Sequence, residues 1–156
     1  MNESLINSLL EDLKSPDENV RQQATEELWR IWFYEKGIYG MALIERSQIM
    51  LKNGDNDKAE ALLTELIGDQ PDFAEAWNRR AVLYYTLGKY EKSRNDCLHT
   101  LKLNPIHFGA LHGLGLCYAA LGDYRKAIQS FRKALAIQPY ALVNQRLILE
   151  CTLRLS

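Results

Sequence analysis

The chain has 156 residues, 47% apolar and 25% charged, with 19 Lys and Arg set against 20 Asp and Glu. This is the make-up of a single globular domain with a real core and not of a disordered chain, and a formal net charge of −1 argues against the broad electrostatic attraction that nucleic-acid and anionic-membrane binders use. The 3 cysteines are an odd number without C-x-x-C or zinc spacing, which points to packing thiols in a reducing compartment.

The opening residues, MNESLINSLLEDLK, carry acids where a secretory signal needs a basic start and an unbroken apolar stretch. No segment reaches membrane-spanning length, so a cytoplasmic protein is expected. Residues 3–14 read as an amphipathic helix, Ser15-Pro16-Asp17 as a turn, and Glu18 to Lys36 as a longer helix with Val20, Ala24, Leu28, Ile31 and Trp32 along one side. Trp29, Trp32, Phe33 and Tyr34 concentrate aromatic area on its last turns. They either cover the open face of the helices that follow, as the terminal element of a stacked array must, or form a binding patch.

From residue 40 the chain keeps a period. Pro71, Pro105 and Pro139 recur every 34 residues, and so do Gly54, Gly88 and Gly122. Within each period the apolar spacing is helical and predicts two helices. The first run from Gly40 to Asn53, Ala74 to Leu87 and Phe108 to Leu121, each stopped by its glycine. The second follow Asp55, Lys89 and Asp123, and each ends near a proline, which lacks a donor N–H and disfavours helical backbone before it. Small residues fall where two helices must approach closely: Ser47, Ala81 and Gly115 on the first helices, Ala59, Ser93 and Ala127 on the second. Bulky Leu43, Trp77 and Leu111, and Met50, Tyr84 and Tyr118, recur between them. Residues 140–155 read as a last helix lying over the one before it. Leu142, Val143, Leu147, Ile148, Leu149, Leu153 and Leu155 spread round more than one of its sides, so it is either covered by a second copy or a partner, or frayed. Leu149 and Leu153 are the candidates for self-association.

This pattern resembles the tetratricopeptide repeat, whose W-x2-L-G-x2-Y, A-x3-F and P positions are met by Leu111, Leu114, Gly115, Tyr118, Ala127, Phe131 and Pro139. The middle unit keeps Trp77, Ala81, Tyr84 and Pro105 but has Arg80, Ser93 and Cys97 in three slots. The first has Leu43, Arg46, Ser47, Met50, Ala59, Leu63 and Pro71. The resemblance implies an all-α fold, a right-handed superhelical solenoid of antiparallel helix pairs: repeats over 40–73, 74–107 and 108–141, a divergent N-terminal pair over 1–39, and a C-terminal capping helix over 142–156. The stretch LLEDLKSPDENVRQQATEEL is also similar to half of a HEAT repeat, and the N-terminal pair is expected as a cap on the first repeat. Arg46 and Arg80 occupy equivalent slots. Either their stems lie along the seam with the guanidinium on a surface carboxylate, or they form a polar ladder between repeats.

No chemistry emerges from the titratable residues. His99, His107 and His112 put no two ligands on one helical face, and Cys97 and His99, two apart on a helix, point to opposed sides. Catalytic residues, cofactors and metals are therefore expected to be none, and an enzyme is not expected. Basic residues are interleaved with acids, which gives no surface for nucleic acid or membrane.

The family implies that partners lie along the inner wall formed by the first helices. Projection by the period puts Ile44, Asn78, His112 and Arg146 in one row, Gln48, Val82, Leu116 and Glu150 in the next, and Leu51, Tyr85 and Ala119 in a third. These side chains either contact a partner peptide or helix or pack against the chain's own terminal helices. Chaperone-binding members of the family hold a C-terminal carboxylate with a set of Lys, Asn and Arg side chains; here those places hold Ile44, Gln48, Arg79, Gly109 and Gly113, so the clamp is absent. Arg79 with His112 retains the means to hold one lone carboxylate. The expected function is a non-catalytic protein–protein interaction module, an adaptor or scaffold; the alternative is a homo-oligomeric assembly factor, a homodimer through the C-terminal helix.

Overall fold

A computed structural model describes residues 2–156. Among them nine helices and no strand are found: α1 Glu3–Asp12, α2 Glu18–Phe33, α3 Gly37–Lys52, α4 Asn56–Asp69, α5 Ala74–Thr86, α6 Tyr90–Leu103, α7 Phe108–Ala120, α8 Tyr124–Ile137 and α9 Leu142–Arg154. Local chemistry sets their ends. The Asn2 and Asp17 side chains accept from the amides of Leu5 and Asn19 at 3.2 and 2.9 Å and start α1 and α2. Gly54, Gly88 and Gly122 adopt φ of +83°, +74° and +84°, and the next amide donates back to the carbonyls of Met50, Tyr84 and Tyr118 at 2.8 Å each time. One stop signal is thus used three times, which makes three helix hairpins, the second and third of equal length.

The hairpins α3–α4, α5–α6 and α7–α8 stack in succession, α9 lies on α8, and α3, α5 and α7 also touch one another directly. The small residues named from sequence sit at the crossings: Ser47, Ala59, Ala81, Ser93, Gly115 and Ala127 are all buried. Gly115 shows why size matters, because a Cβ there would lie 2.5 Å from Cε1 of the fully buried Phe131. Arg80 does not reach a surface carboxylate. It makes two bonds, 2.8 and 3.0 Å, to Asp96, which is itself buried, and one of 3.2 Å to Thr64 on α4. Arg80 thus makes a polar link between the first two hairpins, which Arg46, exposed on α3, does not repeat.

The N-terminal pair departs from expectation in two ways. α2 stops at Phe33, before Lys36, and α3 begins at Gly37, whose φ of +72° turns the chain between them. The pair also covers the first hairpin only at the end of α2, where Phe33 packs on its core. α1 packs on α2 through Leu9, Leu13, Ala24 and Leu28, and α2 runs across the starts of later helices. Just past its end Lys36 pairs with Asp72 at 2.6 Å; on its last turns Trp29 and Trp32 close on His107 and Phe108; in its middle Thr25 accepts from Gln138 at 3.4 Å, and in its first turn Arg21 lies 4.0 Å over the Tyr140 ring. The physical reason is the aromatic run itself, which finds a deeper apolar site at the start of α7 than the outer face of α3 offers.

Candidate functional site

α5 and α7 run side by side over α6, and the side chains between them define a pocket. Asn78, Val82 and Tyr85 come from α5, and Gly109, His112, Gly113 and Leu116 from α7, with Ser93 and Cys97 of α6 beneath. Its volume is about 170 Å³, below the 300 Å³ or so at which small-molecule sites begin, and close to what one large apolar side chain needs. Gly113 makes it. A Cβ on Gly113 would meet only Cys97 Sγ at 3.4 Å, so the space above α6 is open because α7 carries no side chain there. Val82 is 46% exposed at its rim, and Tyr85 leans on Tyr90 with ring centroids 5.2 Å apart.

Beside the pocket lies a buried polar cluster. The Glu75 carboxylate, wholly enclosed, accepts at Oε1 from Arg79 Nε (2.8 Å) and Asn78 Nδ2 (3.2 Å), and its Oε2 is 2.9 Å from His107 Nε2. The Ala110 amide donates to His107 Nδ1 at 3.0 Å, so Nδ1 is the acceptor and Nε2 carries the hydrogen given to Glu75. This tautomer caps α7 and ties it to α5 with one ring. Trp32 stacks on that ring at 4.4 Å and Trp29 meets it edge-on at 5.1 Å. Trp29 also occupies the place a side chain on Gly109 would take, 2.7 Å from the Cβ position.

The sequence-derived candidates fare unequally. Val82, Tyr85, Leu116 and His112 converge on the pocket with Asn78, whereas Ile44 is 1% exposed in the core of the first hairpins and cannot touch a partner. Arg79 is not free for a carboxylate: Glu75 holds it, and the rings of Trp29 and Phe33 lie 5.6 and 4.8 Å from its guanidinium. His112 Nδ1 lies 2.6 Å from Oδ1 of Asn144 on α9, which accepts the ring hydrogen, so His112 is anchored to the last helix. Gln48 is half-buried on α3, and Arg146 is exposed on α9 with Glu150 3.7 Å away. Sequence reasoning missed Glu75 and His107 as site-forming residues, and it placed Trp29 in an aromatic patch without its contact to His107. The available signal was His107 itself, which occupies the slot held one period earlier by Phe73, a core position.

Cys97 and His99 do not form a nucleophile and base. Hydrogen bonding to Cys117 and burial hold the Cys97 thiol well above the ordinary range, hence protonated, and His99 is stacked on Trp77 at 3.8 Å, away from it. Among the described residues no three His, Cys, Asp or Glu side chains gather as metal ligands, and no helix is long and apolar enough to cross a membrane.

Similar hairpins stacked about a shared wall define a helical-repeat solenoid. Tetratricopeptide repeat family patterns match residues 72–139 and 45–98. The chain belongs to the tetratricopeptide repeat (TPR) family, whose repeats are non-catalytic protein-interaction units. It is similar to a TPR repeat-containing protein of Rhizobium etli, 39% identical over 84 residues that make up 54% of this chain and 41% of the relative. Tetratricopeptide repeat protein 37 of Xenopus laevis is 32% identical over 110 residues, 69% of this chain and 7% of that protein. The chain thus spans less than half the length of these curated relatives. Among solved structures, the first TPR domain of Spaghetti (RPAP3) bound to the HSP90 peptide SRMEEVD superposes with a TM-score of 0.71 at 22% identity, covering 74% of this chain and 91% of that one. The Sgt2 TPR domain from Aspergillus fumigatus gives 0.68 at 20% identity, covering 73% and 77%.

Proposed function

We propose that the chain is an adaptor that docks an extended segment or a helix of a partner protein along α5 and α7, seating one apolar side chain in the pocket over Gly113. The observation that carries this reading is the pocket itself: an apolar recess of single-side-chain size, with Val82 exposed at its rim and His112 and Asn78 held in place beside it. Burying one Leu- or Phe-sized side chain there contributes about 1.5–3 kcal/mol, enough to select one residue of a partner sequence but not to bind a free small molecule tightly. An acidic tail such as the peptide named for the RPAP3 domain is not the partner proposed. Gly109 and Gly113 offer no side chain to a carboxylate, and Arg79 is already engaged.

The test is selection from a random peptide display library on the wild type, repeated with Gly113→Leu, which fills the recess where space exists. Enriched peptides should share one large apolar residue and lose at least about tenfold in affinity on Gly113→Leu, the equivalent of 1.4 kcal/mol. Peptides that bind both proteins equally would place recognition elsewhere and end this reading.

A further inference from the structure

The two ends of the stack carry matching bare faces. The six most exposed large apolar side chains of the described residues, 59–76% exposed, are Ile38, Tyr39, Ile49, Leu142, Leu149 and Leu153. All six lie on α3 and α9, the first and last helices of the stacked row. This face of α3 is left open because α2 lies against the starts of α5 and α7 and meets α3 only at its end. α9 turns Cys151, Leu147 and Ile148 toward α8, and Leu142, Leu149 and Leu153 outward.

Among the exposed residues of α9, Leu142, Arg146, Leu149 and Leu153 are spaced four, three and four apart; among those of α3, Ile38, Ala42, Glu45 and Ile49 keep the same spacing. Each set occupies one helical face. Set antiparallel, the faces match position by position: Leu153 on Ile38, Leu149 on Ala42, Arg146 on Glu45 and Leu142 on Ile49. Large meets small at the second position and cation meets anion at the third. Antiparallel is also the sense in which consecutive helices pack from α3 to α9. Two copies of α9 facing each other would instead set both Arg146 side chains against Leu149, and two copies of α3 would set Glu45 against Ala42.

We propose that this chain associates head to tail, α9 of one copy packing antiparallel on α3 of the next. Such a contact is heterologous, so each added copy presents a fresh end, and assembly proceeds as an open row of copies instead of stopping at a closed pair. The interface uses neither Val82 nor the recess over Gly113, so it is independent of the peptide-binding reading.

Sedimentation velocity over a range of concentrations tests this with two variants, one blocked at the head (Ile38→Asp with Ile49→Asp) and one at the tail (Leu149→Asp with Leu153→Asp). All four positions are exposed, and far-UV circular dichroism verifies that each variant is folded. The wild type should rise with concentration beyond twice the 18.0 kDa chain mass. Each variant alone should stay at monomer mass, and an equimolar mixture should form a species of twice that mass and no larger, because one intact head remains for one intact tail. A wild type that stays monomeric at its highest attainable concentration overturns the proposal. So does a head-blocked variant that still dimerises, which would mark α9 as pairing with itself, or a mixture that stays monomeric. As an independent arm, Glu45→Arg and Arg146→Glu should each weaken association of the wild type, and their combination in one chain should restore it. Failure of the combination to restore it refutes the register.

Discussion

The buried Glu75–His107 contact makes a sharp quantitative prediction. His107 is fully buried, spans from the start of α7 to a carboxylate on α5, and is the acceptor for the Ala110 amide. In His107→Ala, the bond to a charged acceptor is lost, worth about 1.5–3 kcal/mol, together with the α7 cap at about 1 and the stacked contact with Trp32 at about 0.5–1.5. The total of about 3–5 kcal/mol is a large share of the 5–15 or so typical of a domain. Cavity formation would also destabilise the variant, so the single change does not isolate the bond. A double-mutant cycle with Glu75→Gln does, read by urea unfolding at fixed pH. The coupling between the two sites should be about 1.5–3 kcal/mol. Additivity within about 0.5 kcal/mol would show that ring and carboxylate do not act together and would refute the assignment of His107 as the tie between α5 and α7.

Gly115→Ala should destabilise by about 1–3 kcal/mol in the same assay, because its Cβ has nowhere to go against Phe131. Arg80→Leu should cost about 3 kcal/mol, since it leaves the buried Asp96 carboxylate without its two guanidinium bonds; a neutral or stabilising result would mean that the stem's apolar contacts matter and the pair does not. Burial pushes the Glu35 carboxyl up, against the opposing pull of Lys36, so the folded state holds its proton more tightly than the unfolded chain and the penalty appears as pH rises above about 4.5. Glu35→Gln should therefore be more stable than wild type near pH 7, with the difference shrinking to nothing below pH 4.5, by thermal unfolding across pH. The acidic peptide SRMEEVD should show no binding by isothermal titration calorimetry, and specific binding would overturn the assignment of Arg79 to Glu75.

The repeat was legible because its cause is local. A glycine at the same offset stops a helix in the same way three times, and small residues at the crossings are needed wherever helices meet. The position of the N-terminal pair was not legible. Trp29 and Trp32 read as apolar area in search of cover, and nothing in their spacing says whether that cover is the neighbouring α3 or the start of α7, some 75 residues further along. Ile44 was misplaced for a related reason: a period projects positions, not exposures, and this position of α3 is filled into the core of the first hairpins by Leu63, Leu66 and Phe73. The pocket was half legible. Val82, Tyr85 and Leu116 were in view, but the residue that opens it is Gly113, which stands out in the sequence only as a missing side chain.

The brace formed by α2 changes how the molecule should come into being. Simple repeat arrays settle neighbour by neighbour, since each unit touches only the next. Here the tryptophans made early in synthesis dock on residues made much later, and Arg21 and Thr25 wait for Gln138 and Tyr140 near the far end. Until then an aromatic ridge stands uncovered on the nascent chain, a natural handle for the folding machinery. Once seated, it pins the curvature of the whole row, so the solenoid should not stretch and recoil like a spring but melt as one body.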